Sequence, residues 1–132
     1  KEFFDVQYDY IIDAVDTVSA KIDIAVRAHG MGIPLISSMG TGNKMHPELF
    51  EVADIYETSV CPLCRVMRKE LRARRVPELK VIYSRENPRA PLSEFRSDSC
   101  TKVNTPSSIA FVPAAAGLLL AGEVIRALYG EE

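Results

Sequence analysis

Tyr8-Asp9-Tyr10-Ile11-Ile12-Asp13-Ala14-Val15 opens the stretch that decides the fold, which runs on through Asp16 to Ser37 and Ser38. Those first eight residues are a short, apolar, β-branched run, the composition of a parallel strand buried on both faces. Asp16 follows as a helix N-cap. Val18, Ile22, Ala25, Val26 and His29 then recur at the spacing of one helical face, with Gly30 as the stop. Ile33-Pro34-Leu35-Ile36-Ser37-Ser38 is a second strand, entered through a proline that a strand tolerates at its start. Strand, helix and strand within about thirty residues make the βαβ unit of an open parallel sheet.

Downstream, Gly40-Thr41-Gly42-Asn43 is a loop just past the carboxyl end of the second strand, the edge where open α/β sheets bind ligands. Leu49 to Ile55 alternates weakly, as a further strand does. Pro62 to Arg75 reads as a helix with Leu63, Val66, Met67 and Leu71 on one side. Leu79 to Ser84 is a strand, and Glu86 to Thr105 is a loop without periodicity. Ser107 to Val112 reads as a last strand. Pro113, allowed at a first helical position, opens an Ala/Leu/Val helix reaching about Tyr129. The expected fold class is α/β.

The 132 residues suffice for one domain with its own core, and 47% apolar with 26% charged residues is ordinary for a globular chain. The net charge of −2 is unevenly spread. Lys1 to Val60 carries four basic and ten acidic residues, whereas Arg65 to Lys102 carries eleven basic and five acidic. No apolar run reads as a membrane span, because Pro113 and Gly117 interrupt the richest stretch. Three cysteines are not a secreted disulfide framework, so a reducing cytoplasm is expected. The chain opens on Lys1 without a signal-peptide pattern, which fits a piece of a longer protein.

Asp13 and Asp16 flank the first strand-to-helix junction. Two carboxylates there can hold a magnesium ion on a nucleotide, since Mg²⁺ takes hard oxygen ligands and few of them from protein. The alternative is plain capping by Asp16, with Asp13 facing solvent or a backbone amide. Cys61-Pro62-Leu63-Cys64 starts a helix, where a thiol pKa falls and C-x-x-C pairs are redox-competent. A zinc site on Cys61 and Cys64 needs two more ligands; Cys100, His29 and His46 lack metal-site spacing. Ordinary half-buried cysteines are the leading reading of the pair. Arg65, Arg68, Lys69 and Arg72 form a basic stripe at helical spacing, either a solvated face or a phosphate-contacting surface. The last helix, Ala114 to Gly122, is apolar nearly all round, so it is expected to be buried in its own core or against a second subunit.

Ile11-Ile12-Asp13-Ala14-Val15-Asp16-Thr17-Val18-Ser19-Ala20-Lys21 resembles the D-x-x-D-[NST]-x-x-x-[KR] segment of the HesA/MoeB/ThiF superfamily, relatives of the ubiquitin-activating enzymes. Gly32 to Gly40 resembles the strand that follows it there. Asp54 to Thr58, Pro62 to Leu71 and Thr105 to Pro113 are similar to the branch of tRNA threonylcarbamoyladenosine dehydratases.

The resemblance implies the second half of a Rossmann-like sheet with a C-terminal extension, and an ATP-dependent ring closure on tRNA. A substrate carboxylate is adenylated, and an internal nucleophile then displaces AMP. By the same resemblance Asp16 works with Mg²⁺ and ATP, Lys21 meets phosphate charge, the Arg65–Arg72 stripe contacts tRNA, and the protein is a homodimer. The family's glycine-rich nucleotide loop has no counterpart here. No G-x-G-x-x-G occurs, and Gly40-Thr41-Gly42 is too short to replace one. Activity is therefore expected of a longer parent that supplies the missing N-terminal half, and not of this chain alone. Two other readings are activation of a ubiquitin-like sulfur carrier and a non-catalytic dimerisation or tRNA-docking module. A thiol–disulfide protein built on Cys61 and Cys64, or a thioester at Cys100, completes the alternatives.

Overall fold

A computed structural model describes residues 2–89 and 106–130. The expected βαβ unit is present: β1 (Ile11–Asp13), α1 (Val18–Met31) and β2 (Leu35–Ser38), with β1 and β2 parallel and Ile11 opposite Leu35. Then come β3 (Phe50–Asp54), α2 (Pro62–Ala73), β4 (Lys80–Ser84) and α3 (Phe111–Tyr129). The sheet order is β1-β2-β4-β3. β4 lies parallel to β2, while β3 closes the edge antiparallel to β4. The chain is α/β with an open sheet and a C-terminal helix, as expected.

Alternation along the strands sorts the side chains into two cores. Val81 and Tyr83 point to the face covered by α1 and α2, where they meet Ile22, Ala25, Met67 and Leu71. Ile36 and Ile82 point to the other face and meet Ala116, Leu120 and Val124 of α3. The result is three layers, with the sheet in the middle.

Four local expectations change. Gly30 lies inside α1, and the stop is Gly32, whose φ of +65° lets its N–H reach back to Ala28 and His29 carbonyls. Residues 107–112 are not a strand. Ser107 instead bonds Asn43, and α3 starts at Phe111. Pro113 is therefore the third helical residue, a place it tolerates because the first four N–H groups of a helix have no helical partner. α3 is also not buried all round. Val112, Ala116, Leu120 and Val124 form one covered stripe, whereas Leu118 is 76% and Ile125 65% exposed within this chain. By length and composition alone, its 19 residues are enough to cross a membrane, since neither Pro113 nor Gly117 breaks the helix. Its Glu123, however, pairs with Lys80 of the sheet at 3.7 Å.

Candidate functional site at the carboxyl edge of the sheet

β1 and β2 end side by side, and their last residues face the same layer because Asp13 is in register with Ser37. Lys21, one turn into α1, reaches back over them. Its ammonium lies 2.9 Å from Asp13 Oδ2 and 3.2 Å from Ser37 Oγ. Ser37 donates its hydroxyl to the same Asp13 oxygen at 2.5 Å. The other oxygen, Oδ1, accepts the Val15 N–H at 3.0 Å and turns the chain out of β1. Both charged side chains are sealed, with 3% exposure for Lys21 and 1% for Asp13.

Asp13 and Asp16, expected from the sequence to share a cation, have different surroundings. Asp13 has both oxygens committed to protein donors. Lys21 spends its charge on that pair inside the domain, with its side chain 3% exposed. The reason is geometric: one helical turn brings residue 21 above the strand end, and burying either charge alone would be prohibitive. Ser37, the third member, carried no signal in the sequence beyond its place at a strand end.

Asp16 is different. It stands exposed at the junction, and the N-cap of α1 is Thr17, whose side chain makes no capping bond. The first turn of α1 thus presents uncapped N–H groups and the positive end of its dipole at the sheet's carboxyl edge. Asp16, unlike Asp13, has no hydrogen-bonding or ion-pair partner among the described residues. Among the described residues no group of three His, Cys, Asp or Glu side chains is placed to hold a metal. Magnesium on a nucleotide does not need one, since it keeps several waters and takes one or two carboxylates plus phosphate oxygens.

The loop after β2 closes the edge. Asn43 adopts a φ of +57°, and its Oδ1 accepts from Ser107 N at 2.9 Å. Gly42 is required there, because a Cβ would lie 2.9 Å from Pro106 Cβ. Glu86, after β4, accepts the N–H groups of Met45 and His46 at 2.9 to 3.1 Å. Burial opposes its ionisation, but the backbone donors of His46 and Met45 prevail and hold its carboxyl below the ordinary range.

The basic helix divides. Arg65, Lys69 and Arg72 are exposed, and Arg72 lies over the Tyr56 ring at 5.0 Å. Arg68 does not belong to the free stripe: its guanidinium donates to Thr58 O at 2.9 Å and also to the Thr58 hydroxyl. Cys61 and Cys64 are both free and buried. Cys100 lies outside the described residues.

Known proteins are similar to this chain in sequence and in fold. The Bacillus subtilis tRNA threonylcarbamoyladenosine dehydratase is 39% identical over 136 residues, covering 97% of this chain and 54% of that protein. The Saccharomyces cerevisiae tRNA threonylcarbamoyladenosine dehydratase 2 is 37% identical over 81 residues, covering 61% of this chain and 18% of that protein. The crystal structure of Escherichia coli TcdA, a tRNA N6-threonylcarbamoyladenosine dehydratase, in complex with AMP superposes with a TM-score of 0.83 at 21% identity. That match covers 98% of this chain and 52% of TcdA. The structure of TcdA with ATP gives a TM-score of 0.80. The chain spans about half the length of these full-coverage relatives. The ThiF family model matches residues 1–132, and with sequence and fold in agreement from end to end, the chain belongs to the ThiF family.

Proposed function

We propose that this chain is the C-terminal portion of an ATP-dependent adenylating enzyme that cyclises threonylcarbamoyladenosine in tRNA. The observation that carries the reading is the junction after β1: an exposed Asp16 beside an uncapped helix start, braced from below by the buried Asp13–Lys21–Ser37 network. The relatives' names and the AMP and ATP complexes of TcdA support it.

In the proposed reaction a substrate carboxylate oxygen attacks the α-phosphorus of ATP and pyrophosphate leaves. An internal nucleophile then attacks the activated acyl carbon, and AMP departs as the ring closes. Asp16 is the residue that would hold Mg²⁺, which supplies charge neutralisation for the phosphates when bound. The N–H groups at the start of α1 stabilise anionic oxygen at the same edge. Asp13 and Lys21 act one layer down: they fix the exit of β1 and the start of α1, and so aim Asp16. Arg65, Lys69 and Arg72 face solvent together as a surface for tRNA phosphates, with Arg68 anchoring the helix that presents them. The exposed apolar side of α3 is proposed to pack on a second subunit as a homodimer. The proposed site of action is the cytoplasm. Without a glycine-rich loop in its sequence, this chain by itself is expected to bind ATP weakly.

The test is pyrophosphate exchange by the full-length protein carrying Asp16→Asn. Exchange should fall by at least about tenfold, roughly 1.4 kcal/mol of transition-state stabilisation, with an unchanged unfolding midpoint. Wild-type exchange in the variant would refute the role of Asp16.

A further inference from the structure

The Cys61–Cys64 pair is used by nothing above, yet its surroundings are specific. Cys61 is the N-cap of α2, a position normally held by Ser, Thr, Asp or Asn. Its sulfur accepts the Cys64 N–H at 3.5 Å, and Pro62 occupies the first helical turn between them. A thiol is a poor cap and a thiolate a good one, so the geometry favours ionised sulfur. The neighbours agree: Lys44, from the loop that leaves β2, lies on the Cys61 side, and Arg68 on the Cys64 side. The contact between the two side chains is the leading cause of a Cys61 pKa lowered to about 6, while the same contact and burial push Cys64 far up.

The backbone adds a second observation. Val60, immediately before Cys61, adopts a φ of +62°, a left-handed conformation strongly disfavoured for a β-branched residue. Cys61 N–H is meanwhile drawn to Ser59 O at 2.6 Å. Cys61 itself is 4% exposed and Cys64 is fully buried, but Val60 is 43% exposed, so the thiol lies one strained residue beneath the surface. Relaxing Val60 would relieve that strain at the residue next to the Cys61 thiol.

We propose that Cys61 and Cys64 form a reversible dithiol–disulfide site, with Cys61 as the attacking and Cys64 as the resolving sulfur, oxidised by a low-molecular-weight disulfide such as glutathione disulfide. Cys61 thiolate attacks one glutathione sulfur, the S–S bond breaks, and the other half leaves as a thiolate that takes up a proton. The mixed disulfide at Cys61 no longer carries the charge that held the Cys64 proton. Cys64 then loses that proton to solvent and attacks Cys61 sulfur, releasing the second glutathione thiolate, which is protonated in turn. The two cysteines give up two electrons and two protons, and one disulfide becomes two thiols. Helix geometry sets the Cα atoms of residues three apart at about 5 Å, inside the range of roughly 4.4–6.8 Å that disulfides span.

The experiment uses the full-length protein carrying Cys100→Ser, equilibrated in glutathione buffers from reducing to oxidising and quenched by alkylation. Tryptic cleavage after Lys44 and Arg65 leaves both cysteines on one peptide. That peptide should lose two hydrogens as the buffer becomes oxidising, and regain both alkylation sites on reduction. Cys64→Ala should accumulate a glutathione adduct at Cys61, whereas Cys61→Ala should leave Cys64 unmodified. Native-state alkylation of Cys61 should rise through a midpoint near pH 6. A wild-type peptide that stays dithiol at every buffer ratio while folded, oxidising only in urea, overturns the proposal whatever the variants do. Equal glutathione adducts in the two alanine variants overturn the assigned roles.

Discussion

Replacing Lys21 with methionine should destabilise the domain by far more than a change at an exposed residue of the carboxyl edge. The methionine fills the stem's volume but leaves the Asp13 carboxylate, 1% exposed, with only the Ser37 hydroxyl and the Val15 N–H. Breaking a buried pair by removing one partner costs about 3–5 kcal/mol, because the survivor is an uncompensated buried charge. Asp13→Asn should cost a comparable amount from the other side, stranding the Lys21 ammonium. The double variant removes both charges and should recover to within about 1 kcal/mol of wild type, since a neutral pair carries no such desolvation penalty. With a urea m-value of about 2 kcal/mol/M, each single change lowers the midpoint by roughly 2 M, and the double change by far less. Urea unfolding of the four proteins, repeated in added salt, is the assay. Salt should leave the differences nearly unchanged, because the pair is sealed from the ions that screen surface charges. Single variants within about 1 kcal/mol of wild type, or losses that simply add in the double variant, would refute the reading of a buried, coupled pair.

Replacing Arg65, Lys69 and Arg72 with glutamine in the full-length protein should weaken tRNA binding and flatten its salt dependence. Each lost phosphate contact should take roughly 0.7–0.9 from the slope of log affinity against log salt, measured by filter binding. Arg68→Gln should instead lower thermal stability, because it releases the Thr58 carbonyl and hydroxyl. Leu118→Glu with Ile125→Glu should shift the sedimentation coefficient from dimer to monomer while leaving each domain folded, since both side chains lie outside the covered stripe of α3. Glu86 has a folded-state pKa below its ordinary 4.5, so its stabilising effect is complete above that value and lost as pH falls through the lower folded one. Wild type should thus lose more stability than Glu86→Gln as pH drops from about 5 toward 3, read from urea midpoints and from faster amide exchange at Met45 and His46.

Local patterning alone was enough to read β1, α1, β2, α2 and β4 and to locate the junction that carries Asp16. A strand's composition, a helix's spacing and a proline's constraint act over a few residues, so they are legible along the chain. The D-x-x-D-T-x-x-x-K segment likewise marks the family by residue type and order alone. What the tertiary structure decided is every question of partnership. Asp13 and Asp16 look equivalent in sequence, yet register places Asp13 opposite Ser37 and beneath Lys21, while Asp16 faces solvent. Four basic residues on one helix look like one stripe, yet the bend before α2 brings Thr58 to Arg68 and removes it from the others. Residues 107–112 are apolar enough for a strand, but β3 already occupies the edge beside β4, and Ser107 is held by Asn43, 64 residues away in sequence. In α3 composition fixes how apolar the helix is, but only packing decides which face is covered, because one sheet face can receive just one stripe of it.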